Sequence, residues 1–204
     1  MLRLTLYSIC AAVLVTAISY RDCVPAEDKK SQVIFVSNLA WVPEKLTFPG
    51  NLSVSVNLTF NRNVSKPIID FELTRYLFGF PLKLPCRDST VVGTCNNINI
   101  CWLFNRSLHD HDPKNYNSYG HKLERMMNKT SGHFWECPIK AENVVVENEP
   151  FELTELSSIV HLLADGDYTI KVMAKENKTG PIIGCIEVNA TITGSGPGSS
   201  SIFG

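Results

Sequence analysis

The chain has 204 residues, a formal net charge of −1, and 44% hydrophobic against 19% charged residues. That balance argues against a nucleic-acid partner, which requires a basic face, and the length suits a single domain. Seven cysteines in a chain of this size point to an oxidising compartment.

The sequence opens with Arg3 and an apolar run from Leu4 to Ile18, short for a bilayer span. Ala17 and Ser19 suit positions −3 and −1 of a signal-peptidase site, so residues 1–19 are expected to be a signal peptide removed after Ser19. Cys10 leaves with it. Cys23, Cys86, Cys95, Cys101, Cys137 and Cys185 remain, an even set that reads as three disulfides whose pairing stays open. N-x-S/T sequons begin at Asn51, Asn57, Asn63, Asn105, Asn128, Asn177 and Asn189, and are expected to be N-glycosylated during passage through the secretory pathway. The expected location is outside the cell or in the lysosomal lumen.

Residues 32–42 give a short apolar opening strand. From Asn51 to Phe60, Leu52, Val54, Val56, Leu58 and Phe60 alternate with polar residues, the period of a strand with one buried face. Lys66–Leu84 repeats the pattern through Ile69, Phe71 and Leu73, is broken at Gly79, and resumes at Phe80. Cys95–Phe104 reads as a short helical turn. Asn105–Trp135 is polar, turn-rich and holds four of the five histidines, His109, His111, His121 and His133. Protonated, these would make the segment cationic at lysosomal pH and draw it to anionic headgroups. Asn143–Leu153 is a further strand, and Thr154–Ala164 is apolar without strict alternation. After the Asp165-Gly166 turn signal, Asp167–Lys175 places Tyr168, Ile170, Val172 and Ala174 inward. Ile183–Ile192 does the same with Ile186, Val188, Ala190 and Ile192. No long amphipathic helix is expected, and residues 194–204 form a Gly/Ser-rich flexible tail.

The reading is an all-β domain over residues 20–193, with two antiparallel sheets, polar outside and apolar inside, in an immunoglobulin-like β-sandwich. No catalytic constellation emerges: there is no G-x-S-x-G, and acidic residues such as Asp70 and Glu72 alternate on strand exteriors. His109-Asp110-His111-Asp112 lacks further ligands at metal spacing, so neither a metal nor a cofactor is expected. If the sheets splay, Val54, Val56, Leu58, Ile69, Phe71, Leu73, Tyr168, Ile170, Val172 and Val188 would line an apolar cavity. Phe151, Leu153, Leu156, Ile159, Val160, Leu162 and Leu163 would then suit a lip that dips into a membrane.

The segment LKLPC at 82–86, GTC at 93–95 and Cys101, with FPGNLSVSV at 48–56, CPIK at 137–140, DGDYTIKV at 165–172 and GCIEVNATI at 184–192, resembles ganglioside GM2 activator-like members of the ML (lipid-recognition) domain family. The resemblance implies a β-cup around a lipid cavity and the pairs Cys23–Cys185, Cys86–Cys95 and Cys101–Cys137. It also implies a non-enzymatic protein that extracts a glycosphingolipid or other acyl lipid, touches the membrane transiently, and presents its cargo to a lysosomal β-hexosaminidase-type hydrolase or carries it between membranes. The alternative is a secreted lipid-recognition co-receptor, or a sterol or fatty-acid carrier, of the same broad family. A fourth disulfide of the activators is missing here, and the Asn105–Trp135 connection is longer and more charged.

Overall fold

Ten strands, two α-helices and a short 3-10 turn at Lys29–Ser31 make up a computed structural model that describes residues 19–86, 93–109, 119–132, 136–153 and 165–194. The strands are β1 (Tyr20–Asp22), β2 (Ile34–Val42), β3 (Lys45–Phe48), β4 (Gly50–Phe60), β5 (Ile68–Leu77), β6 (Phe80–Lys83) and β7 (Cys95–Asn99). Helices α1 (Ile100–His109) and α2 (Tyr119–Ser131) precede β8 (Glu142–Leu153), β9 (Gly166–Lys175) and β10 (Ile182–Gly194). Residues 1–18 and 195–204, on which the signal-peptide and tail expectations fall, lie outside the described residues.

The strands form two sheets. The larger runs β1-β10-β9-β5-β6, with β7 pairing the other half of β5 and β3 joining β10 in parallel; the smaller is β2-β4-β8. All other pairings between these strands are antiparallel. The all-β, two-sheet architecture with three disulfides read from the sequence is therefore the one observed. Alternation does the sorting: Leu58 pairs with Val144 and Val56 with Val146 on the inner face of the small sheet, while Thr59 and Asn143 bond to each other on the outer face.

Three apolar clusters hold the sheets. One closes an end of the sandwich with Val33, Phe60, Val64, Ile100, Ile139, Ala174 and Ile183. A second joins Leu73, Leu84, Tyr168 and Ile192 to Leu46 and Phe48 of β3. The third packs Met127, Leu123 and Met126 of α2 against Val144 and Val146 of β8. Disulfides join Cys23 to Cys185, Cys86 to Cys95 and Cys101 to Cys137, with Cα separations of 4.9, 4.8 and 5.8 Å.

Three local differences from the sequence reading have physical causes. Lys66–Leu84 is not one interrupted strand but the β5–β6 hairpin, because Gly79 sits in its turn. Cys95–Asn99 is strand before the helix begins, since its pairing with β5 outweighs local propensity. The segment expected to be polar and turn-rich contains α2, whose Leu123, Met126 and Met127 recur at helical spacing within a charged sequence and gain their stability from β8.

Candidate lipid-binding site

The small sheet supplies one wall of an internal cavity: Ile34, Val36 and Leu39 of β2, and Val56, Leu58 and Phe60 of β4. The large sheet supplies the other with Ile69, Val172, Ala174 and Ile186. Pro67, Ile100 and Ile139 close the floor, and Ile139 is held by reciprocal backbone bonds with Val64 at 2.9 and 2.8 Å. The cavity measures about 310 Å³, at the lower end of the roughly 300–1,000 Å³ typical of small-molecule sites. Among the described residues every lining side chain is apolar, with the Cys185 half of a disulfide beside them. These residues offer dispersion and desolvation to an occupant, and none of them brings a charge, a side-chain hydrogen bond or a group for acid–base or nucleophilic chemistry.

One side of the cup is drawn tight. A Cβ added at Gly184 would lie 2.7 Å from Ile34 Cβ, so glycine there lets β10 approach β2. The opposite side, between β7 and β8, is where α1 and α2 lie, and Cys101–Cys137 ties the first turn of α1 to the approach of β8. Floor residues Val33, Phe60, Val64, Ile139 and Ile183 are buried; toward the other end the half-buried Leu52, Val54, Phe71 and Ile170 are accompanied by Leu73, Tyr168 and Ile192, which are buried again.

Of the residues expected to line a cavity, Val56, Leu58, Ile69 and Val172 do so. Leu73 and Tyr168 are buried in the second cluster, with Phe71 and Ile170 packed against it, outside the cavity lining. Val54 lies further along β4 opposite Trp41 and Glu149, and Val188 is buried on β10 outside the lining. Phe151 and Leu153 are half-buried at the end of β8, pairing with Leu52 and Gly50; Leu156, Ile159, Val160, Leu162 and Leu163 lie outside the described residues. Among the sequons, Asn51, Asn63, Asn105, Asn128, Asn177 and Asn189 are exposed, while Asn57 is half-buried in the middle of β4 with its Oδ1 unpaired. Of the histidines, His121 has a described side chain on α2, its Nδ1 3.2 Å from Glu124 Oε2.

A second apolar feature, on the β5–β6 hairpin, carries no mark in the strand alternation. The β5–β6 hairpin turns through Phe78 and Gly79, with Leu77 paired to Phe80. Both turn residues have positive φ, +52° and +83°, as a two-residue type I′ turn demands. Phe78 is 99% exposed and Phe80 74%, and Leu82 and Tyr76 are also exposed. A bulky residue in the left-handed region costs of the order of 1–3 kcal/mol, and a fully exposed ring recovers none of it by burial. Folding alone does not account for phenylalanine at this position.

Behind the cavity the large sheet carries one buried charge. Asp70 accepts from Asn97 N at 2.7 Å and pairs with the Lys175 ammonium. Burial pushes its carboxyl up, but Lys175 and the Asn97 N–H together hold it below the ordinary carboxylate range. The arrangement pins β7 to β5 and β9 and does no chemistry on a ligand.

A family model described as the ML domain matches residues 17–192. The chain belongs to the ML domain family. It is thus a lipid-binding protein of a family that is generally not catalytic, consistent with an apolar cavity between splayed sheets. Solved structures it matches include a Niemann-Pick type C2 protein from Japanese carpenter ant, 15% identical, covering 86% of this chain and 99% of that one with a TM-score of 0.41. Another is the Pseudomonas fluorescens alkylpurine DNA glycosylase AlkC bound to DNA with an abasic-site analogue, 9% identical, covering 79% of this chain and 31% of that one with a TM-score of 0.33. Neither superposition is close enough to carry an argument. No curated protein matches the sequence. Among the described residues of this ML domain no helix is long and apolar enough to cross a membrane, and no cluster of three metal-ligating side chains occurs.

Proposed function

We propose that this ML domain is a secreted or lysosomal lipid carrier that takes an acyl chain into its cavity and meets membranes through the Phe78 hairpin. The observation that carries this reading is the all-apolar lining of the 310 Å³ cavity. Each methylene moved from water into such a lining gains about 0.8 kcal/mol, so ten supply about 8 kcal/mol before the costs of association. Phe78 and Phe80 provide uncharged side chains that can enter the acyl boundary of a bilayer without disturbing the core. The resemblance of the cysteine hub to ganglioside activators supports a glycosphingolipid as cargo and a β-hexosaminidase-type hydrolase as the protein that receives it.

The test is native mass spectrometry of the secreted protein, before and after incubation with glycosphingolipid vesicles. A co-purified or acquired lipid, lost when Val172→Trp fills the cavity, is the expected result. A bare protein in both samples would refute the carrier reading. Stimulation of glycolipid hydrolysis by a lysosomal β-hexosaminidase, measured with and without the protein, tests presentation separately; lipid binding without stimulation would leave a carrier and remove the hydrolase partner.

A further inference from the structure

We infer that the outer face of the large sheet holds a groove that receives the first sugar of a glycan attached at Asn189. This rests on the proposed secretory route. Asn189, in Asn189-Ala190-Thr191, is exposed on β10 and borders a concavity of about 340 Å³ that Tyr76, Asp167 and Thr169 also line. The register assembles it: Asn189 lies opposite Thr169, Thr191 opposite Asp167, and Asp167 opposite Tyr76. Thr169 Oγ1 donates to Asn189 Oδ1 at 2.8 Å and lies 3.3 Å from the Tyr76 hydroxyl. Thr191 Oγ1 donates to Asp167 Oδ1 at 2.7 Å. These bonds fix the Asn189 amide through its oxygen, and the nitrogen that carries a sugar, Nδ2, takes no part in them.

Transfer from a lipid-linked pyrophosphate donor forms the bond between Nδ2 and the anomeric carbon, releases the lipid pyrophosphate, and removes one proton from the amide. In the folded protein the N-acetylglucosamine then has the Tyr76 ring as a stacking surface and the Asp167 carboxylate as an acceptor for its hydroxyls. Ser19 also borders the groove and would leave with the signal peptide. Tyr76 pairs across β6 with Pro81 at the base of the exposed hairpin, so the sugar would brace the element that carries Phe78.

The test uses the full chain secreted from a eukaryotic host. Site occupancy is read by peptide mass spectrometry after enzymatic deglycosylation in heavy-oxygen water. Melting temperature and hydrogen exchange over residues 74–83 are compared for protein trimmed to single N-acetylglucosamines and protein fully deglycosylated, each with Tyr76 and with Tyr76→Ala. Asn189 should be occupied, and the single sugar should raise the melting temperature by about 2 °C or more and slow exchange in the hairpin only when Tyr76 is present. Asn189→Gln should abolish the Tyr76-dependent part of the difference while glycans elsewhere persist. An unmodified Asn189 beside other occupied sequons overturns the groove alone, and a wholly unglycosylated chain overturns the secretory route with it. An occupied Asn189 whose effect is the same with Tyr76→Ala also overturns it, even where that variant folds less stably, because both trimmed states carry the same substitution.

Discussion

Replacing Phe78 by glycine should move stability and membrane binding in opposite directions. At φ +52° and 99% exposure, the phenylalanine strains the turn and buries nothing. Glycine occupies that region without steric cost, though it loses more entropy on folding. Setting about 1–3 kcal/mol of strain against about 0.5–1 kcal/mol of entropy leaves a net gain of about 1 kcal/mol, a rise of about 2–4 °C in melting temperature for a chain of this size. On a vesicle the sign reverses. Burying a phenylalanine side chain fully is worth about 1.5–3 kcal/mol, and a tip that enters only the boundary region recovers about half. Phe78→Gly should therefore weaken vesicle binding about 4- to 13-fold, and the double change with Phe80→Ser about 13- to 160-fold. Co-flotation with neutral phosphatidylcholine liposomes measures the second effect and scanning calorimetry the first. A variant that melts higher yet floats with liposomes as wild type does would refute the hairpin's membrane role, and one that melts lower would refute the strain argument.

Other substitutions test the frame around the cavity. Asp70→Asn leaves Lys175 without its carboxylate and should cost about 2–3 kcal/mol, or about 4–12 °C in melting temperature. Because the folded carboxyl sits below its ordinary range, its contribution is complete above about pH 4 and is lost as pH falls through the depressed value; wild type and Asp70→Asn should converge only in strong acid, as pH-dependent urea denaturation would show. Gly184→Val drives a side chain into Ile34, so it should destabilise by about 1–3 kcal/mol and reduce uptake of a fluorescent fatty acid; unchanged uptake would mean that this wall does not define the cavity. Removing Cys101–Cys137, which spans 36 residues, by a double serine replacement should cost up to about 4 kcal/mol by loop entropy. Limited proteolysis should then cut first near the two helices.

Much of the fold is legible because alternation survives on β4, β9 and β10, where Val56, Leu58, Val172, Ala174 and Ile186 all face inward in the observed pairing. The site is less so. The β2–β4 register shifts between Val36 and Asn38, so Leu39 joins Ile34 and Val36 in the lining although a strict period of two would place it on the opposite face. The floor residues Pro67, Ile100 and Ile139 come from a loop, a helix start and an isolated bridge, where no period exists to mark them. Conversely Leu73 and Tyr168 have the correct inward parity but are covered by Leu46 and Phe48 of β3, a strand whose parallel pairing with β10 no local pattern announces. The hairpin is hidden in the sequence for a different reason. Gly79 marks a break in any reading, but that the break is a turn projecting two phenylalanines depends on β6 folding back onto β5.

These positions constrain how a cargo could be recognised. On the carrier reading, an acyl chain lies against aliphatic side chains that have no means of distinguishing one headgroup from another, so the cavity selects by length and bulk alone. The floor is sealed by the buried set around Phe60, Val64 and Ile183, while the end that carries the hairpin combines the half-buried Leu52 and Val54 with the buried cluster of Leu73, Tyr168 and Ile192. On the proposed membrane role of the hairpin, a headgroup belongs at that end. Selection among lipids with the same chains must accordingly come from residues outside the cavity. Substitutions within its lining, Val172→Trp included, should lower uptake of all chain-matched lipids by the same factor. A lining variant that changed the preference between two headgroups on identical chains would place recognition inside the cup and contradict this division of labour.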